Sequence, residues 1–201
     1  MDSASLVSSR KRMLPGVLGL ALMLSAMGSA AASAQESGPR TNFFLAPEAR
    51  ISKVGGGTAV ASGFNTGWII NNRLILGAAG FNTNYGLEPT VKTANGDLEA
   101  DFSYRGGLLG WNFQPGSSVK ASVTTLIGRG KLQGAYDTKP ILAEKFWVFE
   151  PMANVSLRVN RWAAVSAGAG YRFISGGRFN DVTANDLKSP TARIGVTLGG
   201  W

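Results

Sequence analysis

The side chains of this sequence that could do chemistry are carboxylates, lysines, tyrosines and hydroxyls, because it contains no His and no Cys. Without imidazole or thiol, Ser-His-Asp and Cys-His catalysis are excluded, and zinc, copper and haem lose their usual ligands. Glu48, Asp101 and Glu150 remain as a general acid, a general base or a cation-binding carboxylate. Each shares an alternating face with guanidinium groups: Glu48 with Arg50, Asp101 with Arg105, and Glu150 with Arg158. With Arg172 and Arg193 these residues form a set of both signs that must pair if confined, since unpaired buried charge is very costly. An interior ion-pair network is therefore expected, and no spacing among them favours catalysis. Asn180, Asp181, Asn185 and Asp186 lack the EF-hand spacing and its terminal Glu, so they read as solvated loop rather than a calcium site. No enzyme activity, cofactor or metal is expected.

Strict alternation must position these groups. Over 146–159 the odd positions carry Trp147, Phe149, Pro151, Ala153, Val155 and Leu157, while Glu150, Asn154, Ser156 and Arg158 fall on the other face. Over 163–173 Ala163, Val165, Ala167, Ala169, Tyr171 and Phe173 oppose Ser166, Gly168, Gly170 and Arg172. Period two with a tight link at Asn160-Arg161 means a hairpin. Each run is longer than the roughly 5–6 residues usual in a globular protein and reaches the roughly 9–11 needed to cross a bilayer.

The same pattern recurs along the chain. Strands are expected over 42–54, 58–70, 73–81, 98–113 and 119–129, then the two of the hairpin, and a last one over 190–201, eight in all. In the strand over 98–113, Leu98, Ala100, Phe102, Tyr104 and Leu108 are expected on the apolar, outward face, opposite Asp101 and Arg105. Pro47 and Pro151 each remove a ladder donor and should mark irregularities. Turns after strands two, four and six are short, Asn71-Asn72 being the tightest, whereas 82–97, 130–145 and 175–189 read as long loops. Short turns on one side and long loops on the other are the habit of transmembrane barrels. Trp68, Trp111, Trp147, Trp162, Tyr171, Phe173 and Trp201 lie near strand ends, where rings form interfacial girdles. Read as a soluble barrel, these rings would be core.

Residues 1–34 read as a cleaved signal peptide: a basic Arg10-Lys11-Arg12, an apolar stretch over 13–27, and Ala32-Ser33-Ala34 before Gln35. Residues 35–41 form a short lead-in, and 42–201 the barrel. No later run is apolar enough for a spanning helix, so a membrane reading requires a barrel. The 27 glycines and 16% charged residues suit long strands with close-packed small side chains. The formal charge of +8 comes without basic runs interleaved with aromatics, which argues against nucleic acid; a basic exterior suits an anionic membrane surface or, equally, an ordinary solvated one. Lys131, Lys139, Lys145, Arg178 and Lys188, in or beside the long loops, could meet lipopolysaccharide.

On leader, strand count, loop alternation and terminal aromatic, the chain from Asn42 to Trp201 resembles the small eight-stranded outer-membrane barrels of the OmpA and OmpX type. GWIINNRLILG, EPMANVSLRVNRW and GYRF also look like segments of outer-membrane β-barrel proteins. The terminal signal of such barrels is out of phase here, since Trp201 shares parity with Gly199 and Thr197 while Leu198, Val196 and Ile194 take the other face. Similar barrels that are enzymes (lipid A deacylases, palmitoyl transferases and omptin proteases) rely on His, so no activity carries over. The resemblance implies an all-β, eight-stranded antiparallel up-and-down transmembrane β-barrel in the outer membrane, monomeric and inserted by the barrel assembly machinery. Its expected role is envelope structure or contacts through its loops. The alternative is a secreted or periplasmic lipocalin-like barrel, with the apolar face inside around a small ligand and the charged face outside.

Overall fold

Alternating β-branched, aromatic and small residues specify strands here because each strand has two different environments to satisfy. The computed structural model describes residues 39–54, 57–83, 90–93, 96–113, 118–136, 139–176 and 188–199. The expected leader over 1–34, the four residues 180, 181, 185 and 186, Arg178 and Trp201 lie outside them.

Nine strands follow in order: β1 (Thr41–Val54), β2 (Gly57–Ile70), β3 (Leu74–Thr83), β4 (Thr90–Thr93), β5 (Gly96–Asn112), β6 (Val119–Tyr136), β7 (Lys139–Arg158), β8 (Ala163–Ser175) and β9 (Ser189–Gly199). Neighbours run β3-β2-β1-β9-β8-β7-β6-β5, all antiparallel. Pairing of β3 with β5, from Leu74↔Trp111 to Asn82↔Ser103, closes the ring at eight strands. The short β4 adds only to the outer part of β5, Thr90 opposite Glu99.

At one end the turns are tight. Asn71 and Asn72 have φ of 52° and 57°, the left-handed pair that a two-residue hairpin requires, and the Arg73 amide donates to the Ile70 carbonyl at 3.0 Å. The Asn160 side chain accepts from the Trp162 amide at 2.9 Å in the turn between β7 and β8. At the other end, two expected loops are largely strand. Residues 130–145 continue β6 and β7 as one ladder, from Gly130↔Phe146 to Tyr136↔Lys139, with a register shift between Leu132 and Gly134. Residues 82–97 contain β4. Turn-rich composition hid these pairings because strands beyond the apolar belt need not alternate apolar with polar. One wall, β5 to β7, consequently stands taller than the rest.

The proline expectations resolve in detail. Pro47 and Pro151 keep their register with β2 and β6, opposite Phe64 and Thr125. On their other sides the ladder skips, between Leu45↔Leu198 and Glu48↔Gly195, and between Phe149↔Phe173 and Met152↔Gly170. The missing N–H thus interrupts pairing without shifting it. At the end of β9, Gly199 has φ of 92°, a conformation that favours glycine, so strict alternation ends before the terminal aromatic.

The faces are inverted relative to a soluble protein. Trp68 and Ile194 are 53% and 60% exposed, and Phe64, Trp111, Ile127, Phe149, Val155 and Val165 point outward with them. Arg50, Glu150 and Arg172 are 2%, 1% and 1% exposed. This is the reverse of the lipocalin-like arrangement. One strand departs from the expected orientation: in β5, Phe102, Tyr104 and Leu108 are buried inside, whereas Arg105 is exposed on the outer surface. Inside, large side chains lie over glycines of adjoining strands; a Cβ at Gly130 would run into the Phe146 ring, and one at Gly63 into Phe81.

If the apolar exterior meets lipid, Ile194→Arg at mid-strand costs about 2–4 kcal/mol in urea unfolding from lipid vesicles. A cost near zero would place that face in water.

Candidate functional site

The interior cluster is assembled from strands far apart in sequence. β1 directs Glu48 and Arg50 inward at successive inward positions, and β7, β8 and β9 contribute Glu150, Arg172 and Arg193. The Arg50 Nε and Nη2 both lie 2.7 Å from Glu48 Oε1, while its Nη1 binds Glu150 Oε2. Arg193 Nη1 binds Glu48 Oε2, and Arg172 Nη2 stands 3.5 Å from Glu150 Oε1. Five of the eight charges expected to share the interior therefore join directly.

The other three are not among these contacts. Arg158 faces inward toward the short-turn end, its amide donating to the Ser118 carbonyl at 2.8 Å. Arg105 lies outside because β5 turns its aromatic face inward. Asp101 sits in β5 opposite Gln133, and its side chain is outside the described set.

Uncharged residues complete the site. The Tyr104 hydroxyl accepts from Arg50 Nη1 at 3.2 Å and Arg172 Nη2 at 3.4 Å and donates to Glu150 Oε2 at 3.1 Å, which uses its one donor and both lone pairs. Asn65 Nδ2 donates to Glu48 Oε2 at 2.8 Å, and Arg193 Nη2 to the Ser166 hydroxyl at 3.1 Å. The Arg50 guanidinium lies 3.7 Å from the Phe81 ring centre, and Arg172 lies 4.9 and 5.0 Å from those of Phe102 and Tyr104. Phe102 and Tyr104 escaped sequence reasoning because aromatic residues in an alternating strand read as the lipid face, and Phe81 because the two faces of β3 are indistinct in sequence. The available signal was Arg105: a charge on the supposed inner face flanked by Gly106 and Gly107 fits either orientation.

Chemically, this arrangement holds its carboxylates rather than presenting them. Each oxygen of Glu48 and Glu150 faces a guanidinium, so a general base would first have to break an ion pair, and a cation would compete with arginine. The interior cavity toward the short-turn end, lined by Phe44, Asn65, Ser122, Asn154 and Arg193, is about 60 Å³. At least about 10–15 Å³ is needed per ordered water, so it has room for a few waters and not for a lipocalin-sized ligand.

On the outer surface the expected aromatic residues fall at two levels. Trp68 packs edge-on against Phe43 at 5.9 Å, with Trp111 opposite Leu74 and Trp162 at the β7–β8 turn, all toward the short-turn end. Trp147, Phe173 and Tyr171 lie toward the other end, where Phe149–Phe173 and Tyr171–Phe173 ring centres are 5.9 and 4.8 Å apart. All six are exposed.

A closed eight-stranded sheet with paired charge inside and rings outside defines a barrel of the transmembrane class. The fold is that of the small outer-membrane barrels. Neisserial surface protein A superposes with a TM-score of 0.60 at 12% identity, covering 81% of this chain and 99% of that one. The N-terminal barrel domain of Pseudomonas aeruginosa OprF gives 0.55 at 10% identity over 81% and 100%. The outer membrane protein OprG of the same organism gives 0.51 at 13% over 80% and 95%. At these identities the likeness is one of fold. No protein-family model matches the sequence, and no curated protein matches it.

Breaking a buried pair from one side strands its partner. Arg50→Met and Glu150→Met should each cost about 3–5 kcal/mol in vesicle-based unfolding, and the double variant less than their sum. Additive costs would mean that the two groups act independently.

Proposed function

We propose that the chain is an integral protein of the bacterial outer membrane that closes its own lumen and acts through its external surface, without catalysis. The carrying observation is the inverted burial: Trp68, Phe149 and Ile194 outside, Arg50, Glu150 and Arg172 inside. Apolar side chains over the whole mid-barrel exterior are stable only against lipid or another apolar partner. The two levels of exposed rings suit the two interfaces of a bilayer. The leader-like residues 1–34 supply a route of export, and a closed sheet supplies the one β-architecture with every backbone group satisfied in hydrocarbon. Insertion as a monomer by the barrel assembly machinery follows from that placement.

The short turns would face the periplasm and the taller β5–β7 wall the outside. Conduction is disfavoured on simple grounds. An eight-stranded barrel is just wide enough for side chains, and here the cross-section is occupied by salt-bridged arginines and the Phe81, Phe102 and Phe146 rings. An envelope role, structural or through contacts made outside the membrane, is what this leaves.

The protein should fractionate with the outer membrane and migrate faster on a denaturing gel unboiled than boiled. In planar bilayers it should give no steady conductance. Recovery as a soluble periplasmic monomer would sink the proposal, and stable ionic conductance would sink its closed lumen.

A further inference from the structure

On the outer face of the barrel, toward the long-loop end, four basic side chains meet. Arg105 of β5 is the cross-strand partner of Arg129 on β6, and Lys131 of β6 is the partner of Lys145 on β7. All four are exposed. Like charges directly opposite one another weaken a sheet, and here two such pairs occupy adjacent levels of the same face. Among the described residues none of the four has an ion-pair partner; Arg129 instead lies over the Trp147 ring, 4.4 Å from its centre. The next acidic positions on that parity of β5, Asp101 and Glu99, come farther from the apolar belt, opposite Gln133 and Ala135.

The four cations line one surface concavity of about 770 Å³, together with Phe64 and Gly80. Below it the outward residues are small. Gly80 and Ala78 of β3 face Arg105 and Gly107 of β5, and a Cβ at Gly107 would meet nothing within 4 Å. Phe64, opposite Gly80, and Ile127, opposite Gly107, form the flanks. A furrow in the apolar belt thus opens directly beneath this cluster of four positive charges.

We propose that this is a binding site for a phosphorylated, acylated lipid of the outer leaflet, with its phosphates on Arg105, Arg129, Lys131 and Lys145 and an acyl chain in the furrow. The proposal rests on the outer-membrane reading. Guanidinium forks take phosphate oxygens bidentately and lysines add point charge. The Trp147 ring holds Arg129 at the depth where head groups lie. Neutralising both like-charge pairs with one anion turns a destabilising pattern into a stabilising one.

The test uses the barrel in nanodiscs of neutral phosphatidylcholine, titrated with diphosphoryl lipid A or with the same lipid stripped of phosphate. Retained lipid is read by native mass spectrometry, and folding by heat-modifiable migration. The diphosphoryl form should be retained preferentially, and Arg105→Gln, Arg129→Gln and Lys131→Gln should each reduce retention about fivefold. Lys53→Gln, an exposed base on β1 across the barrel, should leave it unchanged. Arg105→Gln should raise thermal stability in neutral nanodiscs and lower it when lipid A is present, a reversal that a purely structural residue would not show. Equal retention of the dephosphorylated lipid, or equal loss with Lys53→Gln, overturns the site. Displacement of lipid A by equimolar free pyrophosphate overturns its assignment to a lipid. A chain that never inserts as a heat-modifiable barrel overturns the membrane reading instead.

Discussion

With apolar side chains turned outward, every charge directed inward must be satisfied inside a cylinder scarcely wider than two side chains, and Glu150 is where this constraint is met. It receives Arg50, Arg172 and the Tyr104 hydroxyl from three different strands. Glu48 does the same for Arg50, Arg193 and Asn65. Two carboxylates among three guanidiniums leave one positive charge in excess. It is spread over aromatic faces, since Arg50 lies on Phe81 and Arg172 against Phe102 and Tyr104. The ion pairs and the rings are therefore a single solution, and neither set would be tolerable there alone.

Backbone details serve the same cluster. Both prolines immediately precede or follow a buried glutamate, Pro47 before Glu48 and Pro151 after Glu150, and at both the ladder to the adjoining strand skips. Between β7 and β8 the skipped positions include the level at which Glu150 and Arg172 meet. The ring layer continues outward as Phe102 stacks on Phe146 at 5.2 Å and Phe146 lies over Gly130. Glycine at that position is a matter of space: the aromatic layer seals the lumen only where the opposing strand offers no side chain.

Much of this was legible in the sequence, and the failures share a cause. Period two identified β1, β2 and β6 to β9 with the correct face inward, because in each the apolar set is outward and polar groups such as Glu48, Lys120, Glu150 and Arg193 alternate with it. The rule fails for β5. There Phe102 and Tyr104 are needed inside to cover arginines, and Arg105 stands outside at the edge of the apolar belt, so hydrophobicity points the wrong way. Sequence could bring Glu48, Arg50, Glu150, Arg172 and Arg193 to one interior by parity. It could not tell which carboxylate meets which guanidinium, since that depends on the tilt and stagger of the closed sheet. The outer parts of β6 and β7 read as loop in sequence for a related reason: beyond the apolar belt both faces of a strand are wet, and alternation ceases to carry information.

Inside and outside then differ in a way that bears on function. Within the lumen Arg50, Arg172 and Arg193 each have a carboxylate, a hydroxyl or a ring supplied by this chain. On the outer rim Arg105 faces Arg129 and Lys131 faces Lys145, with no ion pair to any of the four among the described side chains and the next acidic position of that face, Asp101, one level farther out. A chain with 20 basic and 12 acidic residues has acids enough to place one at these two levels, and a solvent-exposed sheet would gain by it. An anionic boundary changes the sign of that gain, because an acid at the rim would repel the phosphates that neutralise the bases. The same physics that forces pairing in the interior therefore permits its absence at the rim, provided that the missing charge is supplied by the membrane.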